Sequence, residues 1–133
     1  MNDNAGNFKN SSNAIIGANF ETSTPSQTPL LTKNWIENLN YRLELCKNTD
    51  EKLLEILNSH VEFERIHPFS DGNGRTGRLI MLYLCFQEKV SPFVIEKSDR
   101  ALYMTYLREQ NVDIIFERIK ELQEFEENRL KQF

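Results

Sequence analysis

The chain has 133 residues, and its 20 acidic and 16 basic side chains give a formal net charge of −4. This length fits one domain that buries roughly two thirds of its unfolded surface. The acidic balance and the lack of a basic run argue against a nucleic-acid partner. Without an apolar run of about 18 residues or a signal-peptide pattern, no membrane partner is expected. We expect a cytoplasmic protein, or one delivered into another cell by a route that this chain does not encode.

The first 29 residues carry the only β-like segment of this half of the chain. Residues 1–13 are polar and rich in Asn, and residues 14–20 are strand-like. Residues 21–29 contain prolines, serines and threonines, which predict a loop. A strand this short cannot form a sheet alone. Residues 14–29 therefore predict either a small hairpin, or flap, that lies on helices, or an ordinary connecting loop.

From residue 32 onwards, apolar residues recur every three or four positions, which is typical of amphipathic helices. The predicted helices cover about residues 33–47, 51–66, 79–86, 99–110 and 112–133. The third is apolar on all sides and is expected to be buried. We predict a mainly α fold of about five or more helices with one short β-hairpin flap.

Two cysteines, Cys46 and Cys85, lie in these helical patterns and form no C-x-x-C pair. We expect both to be buried free thiols in a reducing compartment. His60 shares a helix face with apolar residues and lacks metal ligands at a suitable spacing, so we expect a core histidine.

The stretch between the second and third helices reads HPFSDGNGRTGR and runs from His67 to Arg78. Pro68 disfavours a helical conformation at His67, so the second helix should end there. Small residues follow that can adopt positive φ and direct successive N–H groups towards one point, namely Gly72, Asn73 and Gly74.

Such a loop at the start of a helix predicts an anion site, because free N–H groups and the helix dipole both favour negative charge. Arg75 and Arg78 are three residues apart, so both side chains reach the same side. Two guanidinium groups above converging amides suit a polyphosphate better than a single carboxylate. A structural ion pair is the alternative for each arginine.

His67 and Asp71 are the titratable groups of this loop. The ordinary pKa of a histidine suits a general base near neutral pH, and the alternative for His67 is a simple helix cap. An acid beside phosphates would repel them unless a cation lay between, so Asp71 predicts a Mg²⁺ ligand. The alternative for Asp71 is a turn that only stabilises the loop.

The stretch resembles the signature of the Fic family, H-P-F-x-[DE]-G-N-[GK]-R-x-x-R, and matches every specified position. The resemblance covers nearly the whole chain and implies a single Fic-like helical domain core over residues 1–133, with residues 67–78 as its catalytic loop. It also implies that residues 14–29 are the flap that holds a target segment by strand-like pairing, with docking residues Ile15, Ile16 and Gly17.

The resemblance implies that His67 deprotonates a Tyr, Thr or Ser hydroxyl of a target protein. Gly72, Asn73 and Gly74 would stabilise charge at the α-phosphate, with the Asn73 side chain as an additional donor. Arg75 would hold the β-phosphate and Arg78 the γ-phosphate of ATP.

Position 74 bears on the reaction type. The Doc-like branch carries Lys there and transfers a terminal phosphate, whereas Gly74 matches the branch that transfers AMP and releases pyrophosphate. We predict a protein adenylyltransferase that uses ATP and Mg²⁺. Alternatives are a transferase using UTP, GTP or a phosphocholine carrier, and a nucleotide-binding, toxin-like module that needs a partner. A regulatory partner and a homo-oligomer both stay open.

Three residues beyond the loop are candidates for the same site. The resemblance puts Tyr103 and Tyr106 on a helix that borders the nucleotide base, with core packing as the alternative. Glu127 is a weak match to the inhibitory glutamate of many Fic proteins, and the alternative is a solvated surface charge. We predict that the chain carries no inhibitory glutamate of its own.

Overall fold

The computed structural model describes residues 6–14 and 21–132. Within these ranges, all regular structure is helical and no strand is found, which confirms the prediction of a mainly α fold. Ile15, Ile16 and Gly17, the predicted docking residues of the flap, lie outside the described residues. The α-helices are α1 (Thr28–Leu45), α2 (Thr49–Ile66), α3 (Asn73–Gln87), α4 (Arg100–Glu109) and α5 (Phe116–Leu130), and 3₁₀ turns occur at Lys97–Asp99 and Val112–Ile114.

Helix α1 begins earlier than predicted. Thr28 and Pro29, assigned above to the flap loop, form its first turn. A proline is well tolerated there because the first N–H groups of a helix have no partner within it. Thr28 is buried, and its hydroxyl donates to the Thr24 carbonyl at 2.8 Å. The proline that suggested a loop therefore marks a helix start.

Helix α2 lies at the centre of the fold, between α1 and α3. Trp35 of α1 packs against Phe63 of α2, and its indole N–H donates to the Ser59 carbonyl at 2.8 Å. The Asn48 side chain caps α2 by accepting from the Glu51 N–H at 2.9 Å. The buried apolar side chains of α2 are Leu53, Ile56, Leu57, Val61, Phe63 and Ile66. Burial of each such side chain contributes about 1.5–3 kcal/mol, so α2 anchors the core.

The prediction that α3 is buried on all sides is wrong. Its inner face packs on α2, but Leu79, Tyr83 and Phe86 are 66%, 62% and 65% exposed. Their spacing of four and three residues puts them on one outward stripe. A segment that is uniformly apolar gives no periodic signal, so the sequence could not reveal which face lies outward.

Helix α4 is bonded to α2, and α5 is joined to the turn that precedes α4. The Tyr106 hydroxyl of α4 donates to the Leu57 carbonyl, and Arg118 of α5 pairs with Asp99 at 2.7 Å. Both cysteines of the described chain are free; Cys85 is buried as predicted, and Cys46 is half-buried. In the part of the chain that is described, no helix is long and apolar enough to cross a membrane.

Candidate active site

His67 ends α2, as the sequence predicts. Its N–H donates to the Phe63 carbonyl at 2.9 Å, and its backbone is left-handed, with φ 50° and ψ 60°. Pro68 follows directly and is buried. Histidine tolerates this conformation better than most residues but still at a cost. The helix therefore stops abruptly and leaves the imidazole in the loop that follows.

Residues near the start of the chain, which the sequence reasoning missed, bind the loop that follows His67. Residues 6–14, which we call the N-terminal strap, lie along it. The backbone N–H of Lys9 donates to the Pro68 carbonyl at 2.8 Å, and the Asn13 side-chain amide donates to the Phe69 carbonyl at 2.9 Å. These partners are more than 50 residues apart, so no local sequence pattern reports them.

Asn73 serves the loop with its side chain. Its Oδ1 accepts from the Phe69 N–H at 2.9 Å, its Nδ2 donates to the Phe69 carbonyl at 2.7 Å, and the residue is 3% exposed. The side chain therefore fixes the turn between His67 and α3, in place of the predicted donation to a phosphate. Of the donors of Asn73, the backbone N–H, in the first turn of α3, is the one that the loop does not use.

The predicted run of three positive-φ residues is reduced to one. Gly72 has φ 77°, whereas Asn73 and Gly74 already have helical geometry as the first residues of α3. The first hydrogen bond of the helix runs from the Thr76 N–H to the Gly72 carbonyl at 2.9 Å. The N–H groups of residues 73–75 thus have no partner within the helix, so the N-terminus of α3 offers the free donors that an anion site requires.

A cleft of about 460 Å³ opens at this helix end, and we call it the central cleft. His67, the loop, the start of α3 and one side of α4 line it together. The predicted site residues that meet there are His67, Asp71, Gly72, Asn73, Gly74, Arg75, Arg78 and Tyr103. Further lining residues, which the sequence reasoning missed, are Asn13, Ala14, Glu64, Ser70, Arg100, Met104 and Leu107.

Three of these residues, Arg75, Arg78 and Arg100, give the central cleft a cationic wall. At Gly74, an added Cβ would lie 3.2 Å from the Arg78 guanidinium, so the guanidinium lies directly over the first turn of α3. Helix dipole, N–H groups and arginines all favour the same anionic ligand. Arg78 also borders an adjoining pocket of about 320 Å³ beside α4, which extends the room available to a ligand.

The electrostatics of His67 suit a neutral imidazole. Burial lowers its pKa, the nearby charge of Lys9 lowers it further, and the Glu64 backbone opposes both. The Nδ1 atom is buried, which leaves Nε2 as the ring nitrogen able to meet a hydroxyl in the cleft. A histidine that is neutral at neutral pH can accept a proton.

Asp71 is exposed at the edge of the central cleft, and its carboxylate accepts from the Gly72 N–H at 2.8 Å. Among the residues that the structure describes, no group of three or more His, Cys, Asp or Glu side chains could hold a metal ion. A lone carboxylate fits Mg²⁺, which takes most of its ligands from water and phosphate oxygens. It does not fit a tightly held structural metal.

The two tyrosines of α4 differ in position. Tyr106 is fully buried and bonds to the Leu57 carbonyl, so its predicted contact with a nucleotide base is wrong and core packing is correct. Tyr103 borders the central cleft, but its hydroxyl lies 2.6 Å from Nε2 of His60. Met104 and Leu107, one and four residues after Tyr103, supply the apolar lining on this side.

Behind the arginines, α2 contributes a buried polar pair. His60 is a buried core histidine, as predicted, and burial, with a smaller effect of Arg78, lowers its pKa to about 3. Burial raises the pKa of Glu64 to about 7, and the positive charge of Arg78 acts in the opposite direction. Gly77 of α3 passes so close that an added Cβ would lie 2.5 Å from Glu64 Oε1. The glycine therefore lets α3 pack directly on this pair.

Glu127 lies away from the central cleft. It is on α5, where its carboxylate accepts a hydrogen bond from the Ser91 hydroxyl. It does not contribute to the cleft lining, whereas Arg78 does. This position favours the interpretation of Glu127 as a surface acid.

Comparison with known proteins agrees with this fold. The model of the Fic/DOC family matches residues 1–85. The chain therefore belongs to the Fic/DOC family. It is 45% identical over 53 residues to "Protein adenylyltransferase Fic" of Aedes aegypti and 43% identical over 53 residues to the protein of that name in Nematostella vectensis. These matches cover 40% of the chain but only 11% and 12% of the relatives.

The fold is also similar to the crystal structure of a Fic-domain-containing signaling protein from Bacteroides thetaiotaomicron. The TM-score is 0.68 at 25% sequence identity, and the match covers 79% of this chain and 40% of the other. The chain thus spans only a part of these relatives.

Proposed function

We propose that the protein is a protein adenylyltransferase, which transfers AMP from ATP to a Tyr, Thr or Ser hydroxyl of a target protein or of itself. The supporting observation is that His67, the N-terminus of α3 and three arginines meet in one cleft of about 460 Å³. Relatives that match the chain over 53 residues carry the name protein adenylyltransferase. We extend the proposal to the whole chain as one Fic domain core.

In the proposed reaction, His67 accepts the proton of the target hydroxyl. The oxygen forms a bond to the α-phosphorus, the bond between this phosphorus and the β-phosphate bridge breaks, and pyrophosphate leaves. The N–H groups of residues 73–75 donate to the oxygens that gain charge at the α-phosphate. Arg75 and Arg78 hold the β- and γ-phosphates, and Arg100 adds positive charge to the same wall.

Asp71 would hold Mg²⁺ at the edge of the cleft. A bound Mg²⁺ supplies charge neutralisation for the phosphates. Gly74 is consistent with a triphosphate donor, since a side chain at this position would press on the Arg78 guanidinium. The position of Arg78 is thus compatible with a γ-phosphate contact.

The test separates the two reaction types by the position of the label. The protein is incubated with ATP labelled at either the α- or the γ-phosphate, in the presence of Mg²⁺ and a cell lysate as source of acceptors. Because the kinases of a lysate also transfer the γ-phosphate, each reaction is compared with lysate that lacks the protein. Additional label from α-labelled ATP alone supports AMP transfer, whereas additional label from γ-labelled ATP would indicate phosphate transfer. Competition by unlabelled UTP or GTP tests the alternative donors.

The variant His67→Ala checks the role of the imidazole. AMP transfer should fall by roughly 10²–10⁴, the usual contribution of a general base. ATP affinity, measured by calorimetry, should change little because the phosphates contact α3 and the arginines. Weakened ATP binding with normal turnover at saturation would contradict the assignment.

A further inference from the structure

Lys9 is a lysine buried within the N-terminal strap. It is 3% exposed, although an ammonium group is rarely buried without partners. Its Nζ donates to the Ile66 carbonyl at 3.1 Å and to Asn13 Oδ1 at 2.8 Å, and Thr22 Oγ1 lies at 3.5 Å. These three oxygens account for the donor capacity of the ammonium group.

The backbone partners of Lys9 lie at or just after the end of α2, where carbonyls have no partner within the helix. The Ile66 carbonyl accepts from the Lys9 ammonium and from the Ser23 hydroxyl at 2.7 Å. The Pro68 carbonyl accepts from the Lys9 backbone, and the carbonyls on either side of it accept from Asn13. Four consecutive carbonyls, those of residues 66–69, are thus held by the N-terminal part of the chain.

We propose that Lys9 is a positioning residue for His67, because it fastens the N-terminal strap to the backbone on both sides of this histidine. The proposal rests on the function proposed above in one respect only, namely that His67 is the base. The left-handed backbone of His67 needs such support, since this conformation is disfavoured for residues other than glycine. Lys9 fixes the carbonyl before His67 with its side chain and the carbonyl after it with its own N–H.

The charge of Lys9 has a second effect on the base. After burial, it is the next largest cause of the lowered pKa of His67. A lysine beside the imidazole disfavours the imidazolium, so the ring stays neutral to lower pH. The other titratable or charged groups that line the same cleft as His67 come from α2, the loop, α3 and α4, and they are Glu64, Asp71, Arg75, Arg78, Arg100 and Tyr103.

The experiment compares Lys9→Met with Lys9→Arg. Lys9→Met keeps the length of the stem but removes the charge and the donors, and Lys9→Arg retains both. The imidazole of His67 is titrated by NMR; the chain has only two histidines, so the spectrum of His67→Ala assigns the signals. The matched control is Lys33→Met, at an exposed lysine of α1.

We expect Lys9→Met to raise the pKa of His67 by roughly half to one unit, the effect of removing one nearby charge. The acid limb of the pH profile of kcat should move upwards by the same amount. At pH values below the pKa of His67, kcat of Lys9→Met should be roughly threefold to tenfold lower than kcat of the parent protein. The KM for ATP should change less. Lys9→Arg should restore both properties, and Lys33→Met should behave like the parent protein.

An unchanged titration of His67 in Lys9→Met, with the kcat profile of the parent, would overturn the proposal. If Lys9→Met does not fold, Lys9→Gln is used, since it removes the charge but can still donate to the Ile66 carbonyl. An unchanged titration of His67 in Lys9→Gln would likewise overturn the proposal. The NMR titration needs neither ATP nor an acceptor. A shifted titration in a protein without transfer activity therefore refutes the proposed function and retains the role of Lys9.

Discussion

Replacement of Glu64 by glutamine tests the buried polar pair of α2. Glu64 is 3% exposed, and its Oε1 has no hydrogen-bond partner among the described residues. Glutamine has the shape of the protonated acid and cannot ionise. Burial raises the pKa of Glu64 from its ordinary value of 4.5 to about 7. The folded protein therefore holds this proton over a pH range in which the unfolded chain has released it.

The sign and the size of the effect follow from this difference. The proton that the folded state retains stabilises it. This contribution to the free energy of unfolding is fully present below pH 4.5 and is lost as the pH rises through 7. Because each pKa unit corresponds to about 1.4 kcal/mol, the whole effect is about 3 kcal/mol. As the pH rises from 5 to 8, we expect the free energy of unfolding of Glu64→Gln to increase by about 2–3 kcal/mol relative to that of the parent protein.

The free energy of unfolding is measured with urea at both pH values for the parent, Glu64→Gln and the control Glu44→Gln. Glu44 is an exposed acid of α1, so its replacement should give the same small change at both pH values. His60, with its pKa lowered to about 3, also makes stability depend on pH, but in the opposite direction and in all three proteins. A difference between Glu64→Gln and the parent that does not vary with pH would refute the reasoning.

Three further predictions concern the metal ligand, the helix contact and the core tyrosine. Asp71→Ala should lose most transfer activity and its dependence on Mg²⁺, and full activity of the parent in EDTA would contradict a metal at this site. Gly77→Ala should lower the free energy of unfolding by about 1 kcal/mol, because the cost of overpacking against Glu64 exceeds the gain in helix propensity; a higher melting temperature in calorimetry would exclude such crowding. Tyr106→Phe should cost about 1 kcal/mol through the lost bond to Leu57 but leave ATP affinity unchanged, whereas a large loss of affinity would reinstate a base contact.

The parts of the site that the sequence could predict are those encoded within a few consecutive residues. Pro68 restricts its neighbour, so the end of α2 at His67 follows from local sterics. Arg75 and Arg78 lie on one side because three residues make nearly one turn, and the structure brings both into the central cleft. The helices themselves follow from apolar periodicity, with errors of up to six residues at their ends, as at the start of α3.

The rest depends on contacts between distant parts of the chain. Lys9 and Ile66 are 57 residues apart, and Asn13 and Phe69 are 56 apart, so their hydrogen bonds leave no local pattern. The sequence predicts that the Asn73 side chain donates to a phosphate, because an amide beside glycines suits that role. Its side chain instead bonds to the Phe69 backbone, a choice that only the folded turn determines.

The left-handed backbone of His67 has a consequence for the evolution of this fold. Glycine and asparagine adopt φ near 50° more readily than histidine, so the proposed base occupies a position that could hold a more stable residue. Selection for stability alone would therefore tend to remove the imidazole, at a gain of about 1 kcal/mol. An engineering campaign that ranks variants by melting temperature should keep position 67 fixed, because under the proposed mechanism its most stable replacements would lack the base.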